Sequence, residues 1–179
     1  MLKEANYLEY QKQLTENKVV RYFWQFWSNY SFVFFFLAAI VMSTDHQMQP
    51  YSRPVMVLAI LAFLLARGIA VTLINIFYER RRPYQDFHFT PITSKFFSWH
   101  TSYPNSFPSR HTTAYFAVAT VVCLFFPALG AFLVAVSLLA GAGRVILGFH
   151  WPSDIIAGAI LGTLIGYLTV AIGYSILFT

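Results

Sequence analysis

Apolar runs close to twenty residues long recur along this 179-residue chain, and most of the charged residues stand at their ends. An α-helix rises about 1.5 Å per residue, so about 20 apolar residues are needed to cross the roughly 30 Å hydrocarbon core of a bilayer. The candidates run from Tyr22 to Ser43, Pro54 to Tyr78, Ser109 to Phe126, Ala131 to Leu147 and Pro152 to Leu177. Trp24, Trp27 and Tyr30 near the start of the first suit a membrane interface. Pro54 suits a first helical position, and Pro83 ends the second span behind a basic cluster. Composition agrees, with 58% hydrophobic and 11% charged residues, against about 45–50% and about 25% in a soluble domain. Disorder, a coiled coil and a water-soluble globule are thereby excluded. The expected fold is an all-α polytopic transmembrane helical bundle of five spans plus an N-terminal surface helix.

Residues 1–21 form the one ordinary polar stretch, and Tyr7, Tyr10 and Leu14 recur there at helical spacing. An amphipathic helix on the membrane surface is expected from them, followed by one transmembrane domain over residues 22–179. The net charge of +5 is carried by few residues, unlike a nucleic-acid-binding face, so no nucleic acid is expected as a partner. One cysteine, Cys123, cannot form an internal disulfide. Glycines 158, 162 and 166, one helical turn apart in the last span, offer a close-packing face. The long aromatic connection from Pro83 to Phe107 reads as an interfacial belt, or as a lid that admits a lipid tail.

Five spans bring three segments to one end of the bundle: Arg80 to Pro83, Pro108 to His111, and Arg144 to Asp154. Nearly all the reactive side chains lie in them. Arginine stays charged and presents a fork of donors that fits phosphate oxygens. Ser109 opens a helix, where amide and hydroxyl can face an anion. His150 and Asp154 are four residues apart, so the carboxylate can hold one ring nitrogen and leave the other free as a nucleophile. His111, from another span, can protonate a leaving oxygen and then deprotonate water. Each group also has a plainer role: Asp154 favours a helix dipole, Arg80 to Arg82 set topology, and the histidines sit at an interface. The set His111, His150 and Asp154 also matches a two-histidine, one-carboxylate metal site, which the neighbouring arginines oppose. No acidic cluster is present for Mg²⁺, so neither metal nor cofactor is expected.

Arg144-x5-His150-x3-Asp154 resembles the third signature of the type 2 phosphatidic acid phosphatase (PAP2) superfamily. Pro108-Ser109-Arg110-His111 resembles its second signature, Pro-Ser-Gly-His, and Arg82-Pro83 the end of its first, Lys-x6-Arg-Pro. The resemblance implies a metal-independent lipid phosphatase, similar to those acting on undecaprenyl pyrophosphate, with a phosphohistidine intermediate. His150 would be the nucleophile, Asp154 its orienter and His111 the general acid, with Arg82, Ser109 and Arg144 holding the phosphoryl group. Two positions depart from the pattern. Asn75 stands where the signature has lysine, and Arg110 where it has glycine. Arg110 is expected to restore the missing charge as a phosphate-binding residue.

The expected partners are a lipid phosphate substrate and the surrounding membrane lipids, the favoured substrate being undecaprenyl pyrophosphate. Phosphatidylglycerophosphate and phosphatidic acid are alternatives, as are a lipid phosphotransferase and a non-enzymatic protein that binds anionic lipid. Flanking charge puts the site end at the cytoplasm, since Arg53 alone stands at the other end. Bacterial relatives generally act at the outer face, and a headgroup-binding end attracts lysine and arginine for its own reasons. The outer face of the cell membrane is the expectation adopted. Arg67, in the middle of the second span, costs at least about 2.5–3.5 kcal/mol there unless it meets a partner or water. An internal hydrogen bond is the expected answer, and a part in substrate or proton passage is the alternative.

Overall fold

A computed structural model describes residues 8–9, 11–13, 16–89, 91 and 105–177. Among these the regular structure is entirely helical. Helix α1 (Lys18–Tyr30) meets α2 (Phe32–Thr44) at Ser31 with a bend of 53°. Helix α3 (Gln49–Leu64) passes through a π-helical turn, Leu65–Ala70, into α4 (Val71–Phe77). A four-residue α5 (Pro83–Asp86) precedes α6 (Arg110–Phe125), α7 (Pro127–Ile146) and α8 (Pro152–Leu177).

Helix α6 is the centre of the bundle, with nine buried side chains that include Ala114, Ala117 and Val121. The glycine row of α8 lies against it. A Cβ on Gly158 would stand 3.1 Å from the Ser109 carbonyl, and Cβ atoms on Gly162 and Gly166 would overlap the carbonyls of Thr113 and Ala117. The pairing ascends in both helices, so α6 and α8 run parallel, both starting at the same end of the bundle. Helix α7 runs back against α6, with Gly130 lying on Cys123 and Gly141 near Ile155 and Thr112. A core of Ala38, Met42, Val55, Leu58 and Ala62 with Val121 and Leu133 closes the opposite end.

Among the described residues, three helices are long and apolar enough to cross a membrane: Tyr51–Phe77, Pro127–Ile146 and Pro152–Ile176. A fourth is reached when α1 and α2 count as one bent span. The expectation of five differs at α6, whose 16 residues rise only about 24 Å. The second span also starts earlier than expected. Helix α3 begins at Gln49 with a proline in its first turn, and Pro54 lies inside it. Of the expected surface helix, residues 8–9, 11–13 and 16 are described and helical, while Tyr7, Tyr10 and Leu14 and residues 92–104 of the aromatic connection lie outside the described residues. From residues 8–17, Gln11 reaches the site end and donates from Nε2 to the Ile146 carbonyl at 2.8 Å.

Candidate active site

The spacing of Arg144 and His150 has a local cause. Helix α7 ends in a Schellman turn, with Gly148 in the left-handed region at φ +80°. Its N–H bonds the Val145 carbonyl at 3.0 Å, and the Phe149 N–H bonds the Arg144 carbonyl at 2.9 Å. The turn folds the chain back, so that Arg144 from the last helical turn and His150 just beyond it face the same space. Phe89 and Gln11 pack on Gly148 from outside, leaving no room for a side chain. Asp154 then falls in the first turn of α8, where Oδ2 accepts from the Trp151 N–H at 2.8 Å. This is the carboxylate half of a capping box.

Arg82 is aimed by the proline after it. Pro83 holds Arg82 extended (φ −82°, ψ 154°). Its Nη1 donates to the Phe149 carbonyl at 3.2 Å and lies 3.5 Å from His150 Nε2, and Nη2 donates to the Asn105 carbonyl at 3.1 Å. On the other side of the ring, His150 Nδ1 is 2.9 Å from the Ser106 carbonyl. A carbonyl only accepts, so Nδ1 carries the hydrogen and Nε2 keeps its lone pair. Asp154 Oδ2 stands 3.6 Å from Nδ1, too far for a strong hydrogen bond, and accepts from the Ser106 hydroxyl. Its Oδ1 accepts from Arg80 Nη1 at 2.7 Å. Ser106 therefore stands between the carboxylate and the imidazole.

Arg144 is buried, at 3% exposure. Its Nη2 donates to the Ser28 carbonyl at 3.0 Å, and its Nε has no partner within the protein. An orphaned buried guanidinium nitrogen costs free energy unless a ligand or water meets it. Gly143 allows this contact, because a side chain there would press on the Trp24 carbonyl at 3.0 Å. Burial pushes the His150 imidazole down from 6.5 to about 4; Arg82 and Arg144 push the same way, while Asp154 opposes them. The ring is neutral at ordinary pH.

These groups enclose one small cavity of about 20 Å³. His150, His111, Arg82, Arg144 and Arg110 line it, together with Asn105 and Arg67. The two histidines therefore share a pocket although His111 opens α6 and His150 lies in the turn between α7 and α8. His111 sits at the start of α6, edge-on to Tyr115 at 6.1 Å, and Tyr115 accepts from the Ser31 hydroxyl at 3.3 Å, at the bend between α1 and α2. Asp154 and Ser109 stand outside the lining. The Ser109 N–H donates to the Asp154 carbonyl at 3.1 Å, joining α6 to α8, and its hydroxyl accepts from Thr112 Oγ1 at 3.1 Å at the start of α6, so both are engaged within the protein. The two departures from the family pattern touch each other. With the amide of Asn75 turned to satisfy both neighbours, its nitrogen donates to the Phe107 carbonyl at 2.7 Å and its oxygen accepts from Arg110 Nη2 at 3.0 Å.

Sequence reasoning did not reach Ser106, Asn105 or the contact of Arg80 with Asp154. Their one signal was nearness to Arg82 and Pro108 in the chain. Among the described residues, no group of three or more His, Cys, Asp or Glu side chains is arranged to hold a metal ion.

A family model described as the PAP2 superfamily matches residues 56–176. "Bacitracin transport permease protein BcrC" of Bacillus licheniformis is 30% identical over 113 residues, which are 63% of this chain and 53% of that one. "Lipid A 1-phosphatase" of Rhizobium etli is 35% identical over 113 residues, 63% of this chain and 44% of its own. "Undecaprenyl-diphosphatase BcrC" of Bacillus subtilis is 34% identical over 73 residues, 38% of each. The chain thus spans about half the length of the curated relatives it matches. The crystal structure of a transmembrane PAP2-type phosphatidylglycerolphosphate phosphatase from Bacillus subtilis aligns over 98% of both chains at 18% identity, with a TM-score of 0.51. That likeness speaks to the fold. The family match takes in the helices that carry all three signature segments, and on it the chain belongs to the PAP2 superfamily.

Proposed function

We propose that this protein is a multi-pass membrane lipid phosphatase that works through a phosphohistidine on His150, without a metal. One observation carries the reading: the unprotonated Nε2 of His150 faces an arginine-lined cavity that His111 also lines. Nε2 attacks phosphorus, the bond to the lipid-side oxygen breaks, and His111 supplies that oxygen's proton. Water, giving its proton to His111, then attacks the phosphorus, the P–N bond breaks, and phosphate leaves with His150 neutral again. Throughout, the Nδ1 hydrogen stays on the Ser106 carbonyl, and Asp154 stabilises the charge the ring carries while phosphorylated. Arg82 and Arg144 hold the phosphoryl oxygens. Arg110, steadied by Asn75, supplies the charge the absent lysine would have given. Ser109 joins α6, which carries His111, to the start of α8 just after His150.

The favoured substrate is a polyprenyl diphosphate such as undecaprenyl pyrophosphate, in keeping with the name of one relative. Residues 22–179 are the catalytic unit, crossing the cell membrane five times with α6 as the buried central crossing and the site at the outer face. The test is phosphate release by purified protein from polyprenyl diphosphate, phosphatidylglycerophosphate, phosphatidic acid and lipid A 1-phosphate, with and without EDTA. Release from the diphosphate is expected to survive EDTA and to fall roughly 10³-fold or more in His150→Ala. Release unchanged in His150→Ala would refute the mechanism, and binding without release would make the protein a lipid-binding subunit.

A further inference from the structure

Arg67, in the middle of the second span, lines the same cavity as His150. It sits within a π-helical turn. At Leu65–Ala70 the helix takes an extra residue per turn, and the Val71 N–H reaches back to the Ala66 carbonyl. Such turns rotate the following side chains and recur at functional sites. Arg67 also lies near enough to Arg144 for their charges to repel. Four guanidinium groups, from Arg67, Arg82, Arg110 and Arg144, thus face one cavity, and among the described residues no carboxylate lines it. Such a set favours a headgroup with more than two negative charges.

The direction of approach matters as much as the count. Arg82 and Arg144 reach the cavity from the end of the bundle, beside His150. Arg67 stands eight residues before Asn75 on the same helix, about 12 Å further into the bundle. A lipid whose terminal phosphate meets His150 has its tail in the bilayer. The group between that phosphate and the tail therefore lies towards Arg67.

We propose that Arg67 binds the tail-proximal phosphate of a lipid diphosphate and so makes the site prefer diphosphate over monophosphate headgroups. This rests on the phosphatase reading for its substrate, but not for its test. One arm compares Arg67→Gln and Arg67→Lys with the unaltered protein on a polyprenyl diphosphate and the monophosphate of the same tail. The loss in kcat/KM for Arg67→Gln is expected to be about ten- to a hundredfold larger on the diphosphate, with Arg67→Lys recovering most of it. Equal loss on both, or a loss that follows a fall in unfolding temperature, would overturn the proposal. The second arm measures binding of inorganic pyrophosphate and orthophosphate by calorimetry, and does not need turnover. Pyrophosphate is expected to bind more tightly, with the difference lost in Arg67→Gln; equal affinities in the unaltered protein would overturn it. Failure of the phosphatase reading looks different, since no lipid would then release phosphate while this second arm still reports on Arg67.

Discussion

His150 is held neutral by burial, and two consequences can be measured. A nucleophilic imidazole that titrates near 4 rather than 6.5 keeps its lone pair through mildly acid conditions. The acid limb that His150 sets on kcat/KM is therefore expected near pH 4, and a limb at 6.5 assigned to His150 would contradict its burial. Stability follows the same shift. The folded pKa lies below the unfolded one, so the unfolded chain binds the proton more readily, and stability should fall as pH drops from 6.5 towards 4. A thermal-shift series across that window checks the sign. Gly148→Ala forces a side chain into the left-handed turn, at roughly 1–2 kcal/mol in backbone conformation alone. It should lower both unfolding temperature and phosphate release, because the same turn places His150. Arg144, His150 and Asp154 could be read from the sequence since a helix end, a glycine turn and a helix start fix their relation locally. Ser106 could not, because its carbonyl and hydroxyl reach His150 and Asp154 only after a distant loop has folded onto α8.

The helices were legible where apolar length decides the matter and illegible where a single turn does. Helices α7 and α8 lie close to the runs read for them, and the glycine row packs on α6 as its spacing suggested. A side chain at Gly162 would meet the Thr113 carbonyl, so Gly162→Val should cost about 1–3 kcal/mol or more by forcing the helices apart. Substitution at Gly68, where a Cβ would meet nothing within 4 Å, should cost far less, and comparison of the two unfolding temperatures tests this. The bend at Ser31 and the π-turn at Leu65–Ala70 left no mark in hydropathy, since both lie inside apolar runs. Arg67, inside that turn, reads as an isolated charge in the sequence yet lines the cavity in the fold.

Across the whole molecule, the polar chemistry gathers at one end of an apolar bundle. Gln11, Arg82, Ser106 and His150 meet at that end, while Met42, Val55 and Leu133 pack towards the other. Exposed His46 and Arg81 consequently belong to opposite sides of a membrane. In a Cys123→Ser background, Arg81→Cys should react with an impermeant thiol reagent on intact cells, and His46→Cys only after permeabilisation. The reverse pattern would put the site at the cytoplasm. The chemistry itself is best tested by mapping the phosphoryl group on protein quenched during turnover of a radiolabelled lipid diphosphate. An alkali-stable, acid-labile phosphate on His150, absent from His150→Ala, is the predicted result. Label on any other side chain, or full turnover with no label at His150, would contradict it.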